Sequence, residues 1–242
     1  MTAFAIKTVA LICMIIDHLS AAMPDYFPFY FRIIGRVSFP IFAYLTAEGC
    51  RHTKNIKKYM LRLGLFAILS QIPFCLAFAN TRYNVPSVSF IFGTNIFYTI
   101  CLGVLCIYMF QEAMQAINKI YIFIAAVLII TAITAAQLTF ADYGGAGVAV
   151  IFLLYILPEK RLRYTAIFLL IMYLYGRFML DGILQGWGIN EFFTQRNIGL
   201  LMGAMASMPF IMLYNGKRGT GAKWLFYIAY PGHLALLALF TH

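Results

Sequence analysis

Apolar residues run along this chain in long blocks, not in the one-sided stripes of a soluble amphipathic helix. Nine blocks stand out, at roughly 3–23, 28–49, 59–79, 95–113, 120–140, 144–157, 164–185, 196–214 and 223–241. Most are roughly 18 to 22 residues long, the length that carries a helix across a bilayer core. The pattern predicts an all-α fold: a polytopic integral membrane helix bundle of about nine transmembrane helices, forming one domain over residues 1–242. The sixth block is short and opens Tyr143-Gly144-Gly145, which predicts a tilted or half-buried helix.

Composition agrees with the pattern. Hydrophobic residues make up 63% of the chain and charged residues only 11%, whereas a soluble domain is about one quarter charged. The first block, with its early Lys7 and the small residues Ser20-Ala21-Ala22, has the outline of a secretory signal. Its Asp17-His18 pair is foreign to a signal core, so the block reads as a retained first helix. Five cysteines without a Cys-x-x-Cys spacing predict small packing residues, with neither a disulfide framework nor a metal site.

Charge sets the orientation. One set of connections carries Arg51, Lys54, Lys57, Lys58, Arg62, Lys119, Lys160, Arg161, Arg163, Lys217, Arg218 and Lys223, with Lys7 at the same end of the first block. The opposite connections carry Arg82 and Arg196, and Arg32, Arg36 and Arg177 lie inside blocks. This asymmetry predicts a multi-pass cell-membrane protein with a cytoplasmic amino terminus and an external carboxyl terminus. The net charge of +10 then needs no nucleic acid to explain it, and membrane lipids are the expected partners.

That orientation collects the buried ionisable residues in one layer. Asp17, His18, Arg32, Arg36, Arg177 and Asp181 fall in the outer half, Asp142 on the same side, and His233 near mid-depth. Such residues are costly in a bilayer and mark pairs or wet cavities. Arg32 and Arg36 share a helix face, as do Arg177 and Asp181, which can pair with each other, functionally or only structurally. Adjacent Asp17 and His18 point about 100° apart. Asp17 is therefore expected to meet Arg32 or Arg36, leaving His18 to face a cavity as a general base. Arg32 snorkelling to headgroups and His233 bonding a neighbouring helix are the bland alternatives. Glu48 stays open between a salt bridge to Arg51 or Arg62 and a ligand contact.

Lys7 precedes His18 by eleven residues, so the two share a face about 16 Å apart along the axis. A ligand with phosphates at one end and a reactive group on a long arm spans such a gap. Acyl-CoA has that shape. Lys7, Lys57 and Arg62, together with Asn215, Lys217 and Arg218 of the 215–223 connection, are the expected phosphate contacts.

Several blocks of the sequence resemble the TraX family, known for amino-terminal acetylation of conjugative F-type pilin. They are the Lys-(ten residues)-His element ending in Asp17-His18, GRVSFPIFAYLTAEG (35–49), TKNIKKYMLRL (53–63), SQIPF (70–74), ADYGGAGV (141–148), LYNGKRG (213–219) and FYIAYPGH (226–233). The family is similar in turn to the transmembrane acyltransferases, in which a basic-x10-His element marks the first helix. By that likeness His18 matches the essential histidine and Lys7 its basic partner.

The resemblance implies transfer of an acetyl group from cytoplasmic acetyl-CoA to an acceptor outside the membrane. That acceptor would be a protein amino terminus, a glycan or a small molecule bearing an amine or hydroxyl. Arg32 or Arg36 would stabilise the oxyanion. A proton-coupled transporter using the same Asp, His and Arg relay, and a non-catalytic assembly factor, are the rival expectations.

Overall fold

The computed structural model describes residues 1–78, 93–184 and 195–241; the side chains of 177–184, 195, 196 and 223 lie outside that description. All regular structure among the described residues is helical, 81% helix without a strand. The helices are α1 (Ala3–Ala22), α2 (Tyr30–Gly35), α3 (Ser38–His52), α4 (Ile56–Phe78), α5 (Ile96–Gln115) and α6 (Ile120–Leu138). They continue with α7 (Gly144–Ile156), α8 (Lys160–Leu184), α9 (Gln195–Met205), α10 (Ser207–Met212) and α11 (Lys223–Thr241).

Five of them, α1, α4, α5, α6 and α11, are long and apolar enough to cross a bilayer. They fit a multi-pass membrane protein, but the count of nine spans is not confirmed. Each predicted block is helical, yet two are not single helices. The expected 28–49 span breaks at Arg36-Val37, between α2 and α3. Pro40 in the first turn of α3 has no N–H to bond the carbonyl of Arg36, and its ring crowds that carbonyl. Pro209 acts in the same way on Met205, where the 196–214 block divides into α9 and α10. Pro73 and Pro231, by contrast, are carried inside α4 and α11. At 13 residues α7 extends only about 20 Å, short of a bilayer core of roughly 30 Å.

The chain divides into two compact units, and the division falls inside α3 and α11. The first holds Met1–Phe42 and Glu159–Phe226, the second Ala43–Pro158 and Tyr227–His242.

In the first unit α1 packs along Ile6, Ala10 and Met14, a buried stripe at four-residue spacing that continues to Asp17 and His18. Ser38 donates from its hydroxyl to the Ala10 carbonyl, 2.9 Å away. The short α2 lies in close contact with both α1 and α9 through glycines. A Cβ on Gly35 would stand 2.1 Å from the Asp17 Cβ, and one on Gly203 would stand 2.0 Å from the Ile33 carbonyl oxygen. Gly199, one turn before Gly203, faces Ile33 too. This is the small-xxx-small approach by which membrane helices bring their backbones together. Gly203→Ala is expected to cost about 1–3 kcal/mol, because the obstacle is backbone and cannot turn aside. Thermal unfolding in detergent measures it, and an unchanged midpoint would contradict the contact.

In the second unit α5 is packed against α4, α6 and α7, with Gly103 accepting the Ile151 side chain. Asn95 caps α5 by accepting from the Phe97 N–H at 3.0 Å, and its amide donates to Gln71 and to the Ala67 carbonyl, both at 2.8 Å. The SQIPF and ADYGG segments meet around this cap. Gln71 donates to the Gly93 carbonyl at 3.3 Å, while the Asp142 N–H reaches the Thr94 carbonyl at 2.9 Å. Tyr143 and Gly144, both at positive φ, turn the chain into α7.

Candidate functional site

Two clusters occupy the two ends of α1. The amino-terminal one is built by the LYNGKRG loop. Ala3 and Phe4 donate their N–H groups to the carbonyls of Lys217 (2.8 Å) and Arg218 (3.1 Å), and the Asn215 N–H donates to the Met1 carbonyl at 3.0 Å. The Asn215 carboxamide oxygen accepts from the Lys217 N–H at 3.0 Å, which folds the loop on itself. Gly216 and Gly219 sit at φ of 77° and 75°, a region glycine enters without steric cost. A Cβ on Gly219 would also meet the Thr2 hydroxyl at 2.5 Å.

The loop therefore holds Lys217 and Arg218 at the start of α1, beside Lys7. The Lys7 ammonium stands 5.9 Å over the Phe226 ring, which in turn meets Phe4 edge-on. Among the described residues no carboxylate comes within ion-pair distance of Lys7, Lys217 or Arg218. Three cations near a helix amino terminus form an anion-attracting end.

The second cluster lies eleven residues on. Asp17 is clamped by two guanidinium groups. Arg32 Nη1 donates to Oδ2 at 2.8 Å, and Arg36 Nη2 donates to Oδ1 at 2.6 Å and Oδ2 at 2.8 Å. Arg36 Nε bonds the Arg32 carbonyl at 3.2 Å, which locks the two arginines together. The expected meeting of Asp17 with Arg32 or Arg36 is a meeting with both. Tyr175 of α8 shares a hydrogen bond with Arg36, the guanidinium donating to its hydroxyl. Neither Tyr175 nor Gly35, whose missing Cβ makes room for the carboxylate, was singled out from the sequence. His18, adjacent to the clamp, is 6% exposed and so sits inside the unit.

Arg177 and Asp181 belong to α8, but their side chains are outside the described residues. Lys57, Arg62, Asp142 and His233 belong to the second unit. Lys57 reaches over the Tyr108 ring at 5.3 Å. The Asp142 carbonyl accepts from the Thr99 hydroxyl at 2.5 Å. Nδ1 of His233 donates to the Ala229 carbonyl within its own helix at 2.8 Å, and the ring meets Tyr230 edge-on. Glu48 pairs with Arg51 at 2.5 Å, the first of the two salt bridges left open by the sequence. The same Arg51 donates to the carbonyls of Leu154, Tyr155 and Leu157 at the end of α7, a C-capping role.

Comparison with known proteins supplies a family match. The model for the family described as TraX protein matches residues 3–241. The probable fimbrial assembly protein FimC, serogroup H1, of Dichelobacter nodosus is 26% identical over 246 residues, covering 98% of this chain and 94% of that protein. No solved structure matches the chain.

Proposed function

The chain belongs to the TraX family, and from that premise we propose that it is a membrane acetyltransferase. It takes an acetyl group from cytoplasmic acetyl-CoA and passes it to an amine or hydroxyl on the outer side. The observation that carries this reading is the two-ended α1, with cations at Lys7, Lys217 and Arg218 that have no carboxylate partner among the described residues and, eleven residues on, His18 beside the Asp17 clamp. The basic connections support a cytoplasmic location for the amino-terminal end of α1. Acetyl-CoA phosphates bind there, and the pantetheine arm extends the thioester toward His18.

His18 takes a proton from the acceptor as the acceptor's nitrogen or oxygen attacks the thioester carbonyl carbon. The tetrahedral intermediate collapses, the C–S bond breaks, and the CoA thiolate leaves and is reprotonated. Both oxygens of Asp17 are engaged by arginines, so Asp17 positions Arg32 and Arg36 and is not the orienting partner of the imidazole. Those guanidinium groups are the cations available for the oxyanion. Direct transfer needs one such intermediate; passage through an acetyl-His18 needs two. The relative's name, a fimbrial assembly protein, supports a pilin-like amino terminus as the acceptor.

Inside-out vesicles test the reading. Acetyl-CoA, which does not cross lipid, is added to the medium, and a peptide with a free pilin-type amino terminus is trapped in the lumen. Release of free CoA together with acetylated lumenal peptide is the expected result. CoA release that ignores the trapped peptide, or none at all, would count against transfer across the membrane to this acceptor class.

A further inference from the structure

Arg62 is placed differently from Arg32, Arg36 and Arg51. Arg32 and Arg36 share Asp17, and Arg51 has Glu48. Among the described residues Arg62 has no carboxylate within ion-pair distance, and its buried Nε has no hydrogen-bond partner. Its surroundings are aromatic. The guanidinium stands 5.9 Å over the Tyr59 ring and donates to the hydroxyl of Tyr227. Tyr59 is itself fixed by a hydrogen bond shared with Thr46. The head group is thus held in place, permanently charged, and without a counter-charge among the described residues.

Its position on α4 says what balances it. Leu63, Phe66, Ala67 and Ser70 form the buried face of this helix. Leu61, Leu65, Ile68 and Ile72 form an outward apolar face, Leu61 being 72% exposed. Arg62 sits on the seam between the two faces, partly exposed, two turns from the start of α4. Lys58, fully on the outside, lies one turn earlier on the same stripe. A ligand that suits this arrangement has an oxyanion at the level of Lys58 and Arg62 and long apolar chains running over Leu61, Leu65, Ile68 and Ile72. A guanidinium fork matches two oxygens of a phosphate ester.

We infer that Lys58 and Arg62 form a specific site for the phosphate of an anionic phospholipid. The site belongs to the second unit alone and stands whether or not acetyl transfer is found.

The test is native mass spectrometry of the whole protein released from nanodiscs of equal phosphatidylglycerol and phosphatidylcholine. The wild type is expected to retain phosphatidylglycerol selectively. Lys58→Ala/Arg62→Gln is expected to lower that retention about fivefold or more, the worth of one or two basic contacts at a membrane surface. Lys54→Ala/Lys119→Ala, which removes the same charge from exposed loops, should leave it unchanged. Equal losses from both double variants would reduce the effect to diffuse surface charge and overturn the site. If Arg62→Gln fails to fold, Arg62→Lys keeps the charge, loses the fork, and should still lose retention. A parallel titration with acetyl-CoA separates the sources of phosphate. Weakened acetyl-CoA binding with lipid retention intact would overturn the lipid assignment.

Discussion

Replacing His18 with alanine is expected to lower acetyl transfer at least about 100-fold while leaving acetyl-CoA binding within about twofold of wild type, since a positioned general base contributes roughly 10²–10⁴. The split follows from the geometry of α1. The cations proposed to hold phosphate are tied to its first turns by the 213–219 loop, and His18 lies eleven residues on from Lys7, buried at 6% exposure. Removing the imidazole should subtract the proposed proton acceptor without disturbing the loop. The vesicle assay measures transfer, and a binding titration on the same preparation measures the donor step. Transfer by the wild type to an amine acceptor should also rise with pH, because only the neutral amine attacks. A variant that transfers acetyl at near wild-type rates would remove His18 from the chemistry.

The second large effect concerns stability. Asp17→Ala leaves Arg32 and Arg36 facing each other without the carboxylate that three hydrogen bonds of 2.6–2.8 Å now serve. Breaking a buried ion pair by deleting one partner costs about 3–5 kcal/mol, because the remaining charge stays desolvated. Here two charges remain, and they repel. The expected result is a large drop in the unfolding midpoint in detergent, with expression reduced to match. Asp17→Asn, which keeps the shape and loses the charge, should fall on the same side of wild type. A midpoint within a degree or two of wild type would show that the clamp does not hold α2 against α1.

The parts of this picture that were legible in the sequence are those that charge and hydropathy control. An acid and two arginines inside apolar blocks had few other partners, and the four-residue spacing of Arg32 and Arg36 put both on the face that meets Asp17. The breaks at Arg36-Val37 and between α9 and α10 were not read, because apolar character runs on through Pro40 and Pro209 and hides a local loss of one hydrogen bond. Tyr175 was invisible for a related reason: a tyrosine in an apolar run looks like packing until its hydroxyl is seen against Arg36. Gly35 opens the GRVSFPIFAYLTAEG motif, but only the Asp17 Cβ, 2.1 Å from where a Gly35 Cβ would stand, explains why no side chain fits there.

Lys57 and Arg62 were grouped with Lys7, Lys217 and Arg218 because basic loops share one side of a membrane. The loop hydrogen bonds join Lys217 and Arg218 to the start of α1 within the first unit. Lys57 and Arg62 belong to the second unit, where each stands over a tyrosine ring.

The most direct test of the two-ended helix is acetyl-CoA binding to purified protein, followed by native mass spectrometry for wild type, Lys7→Ala and His18→Ala. Hydrogen bonds to a charged group are worth about 1.5–3 kcal/mol, so Lys7→Ala should bind about tenfold or more weakly while His18→Ala binds as wild type does. Failure of the folded wild type to bind acetyl-CoA at millimolar concentration would contradict the account.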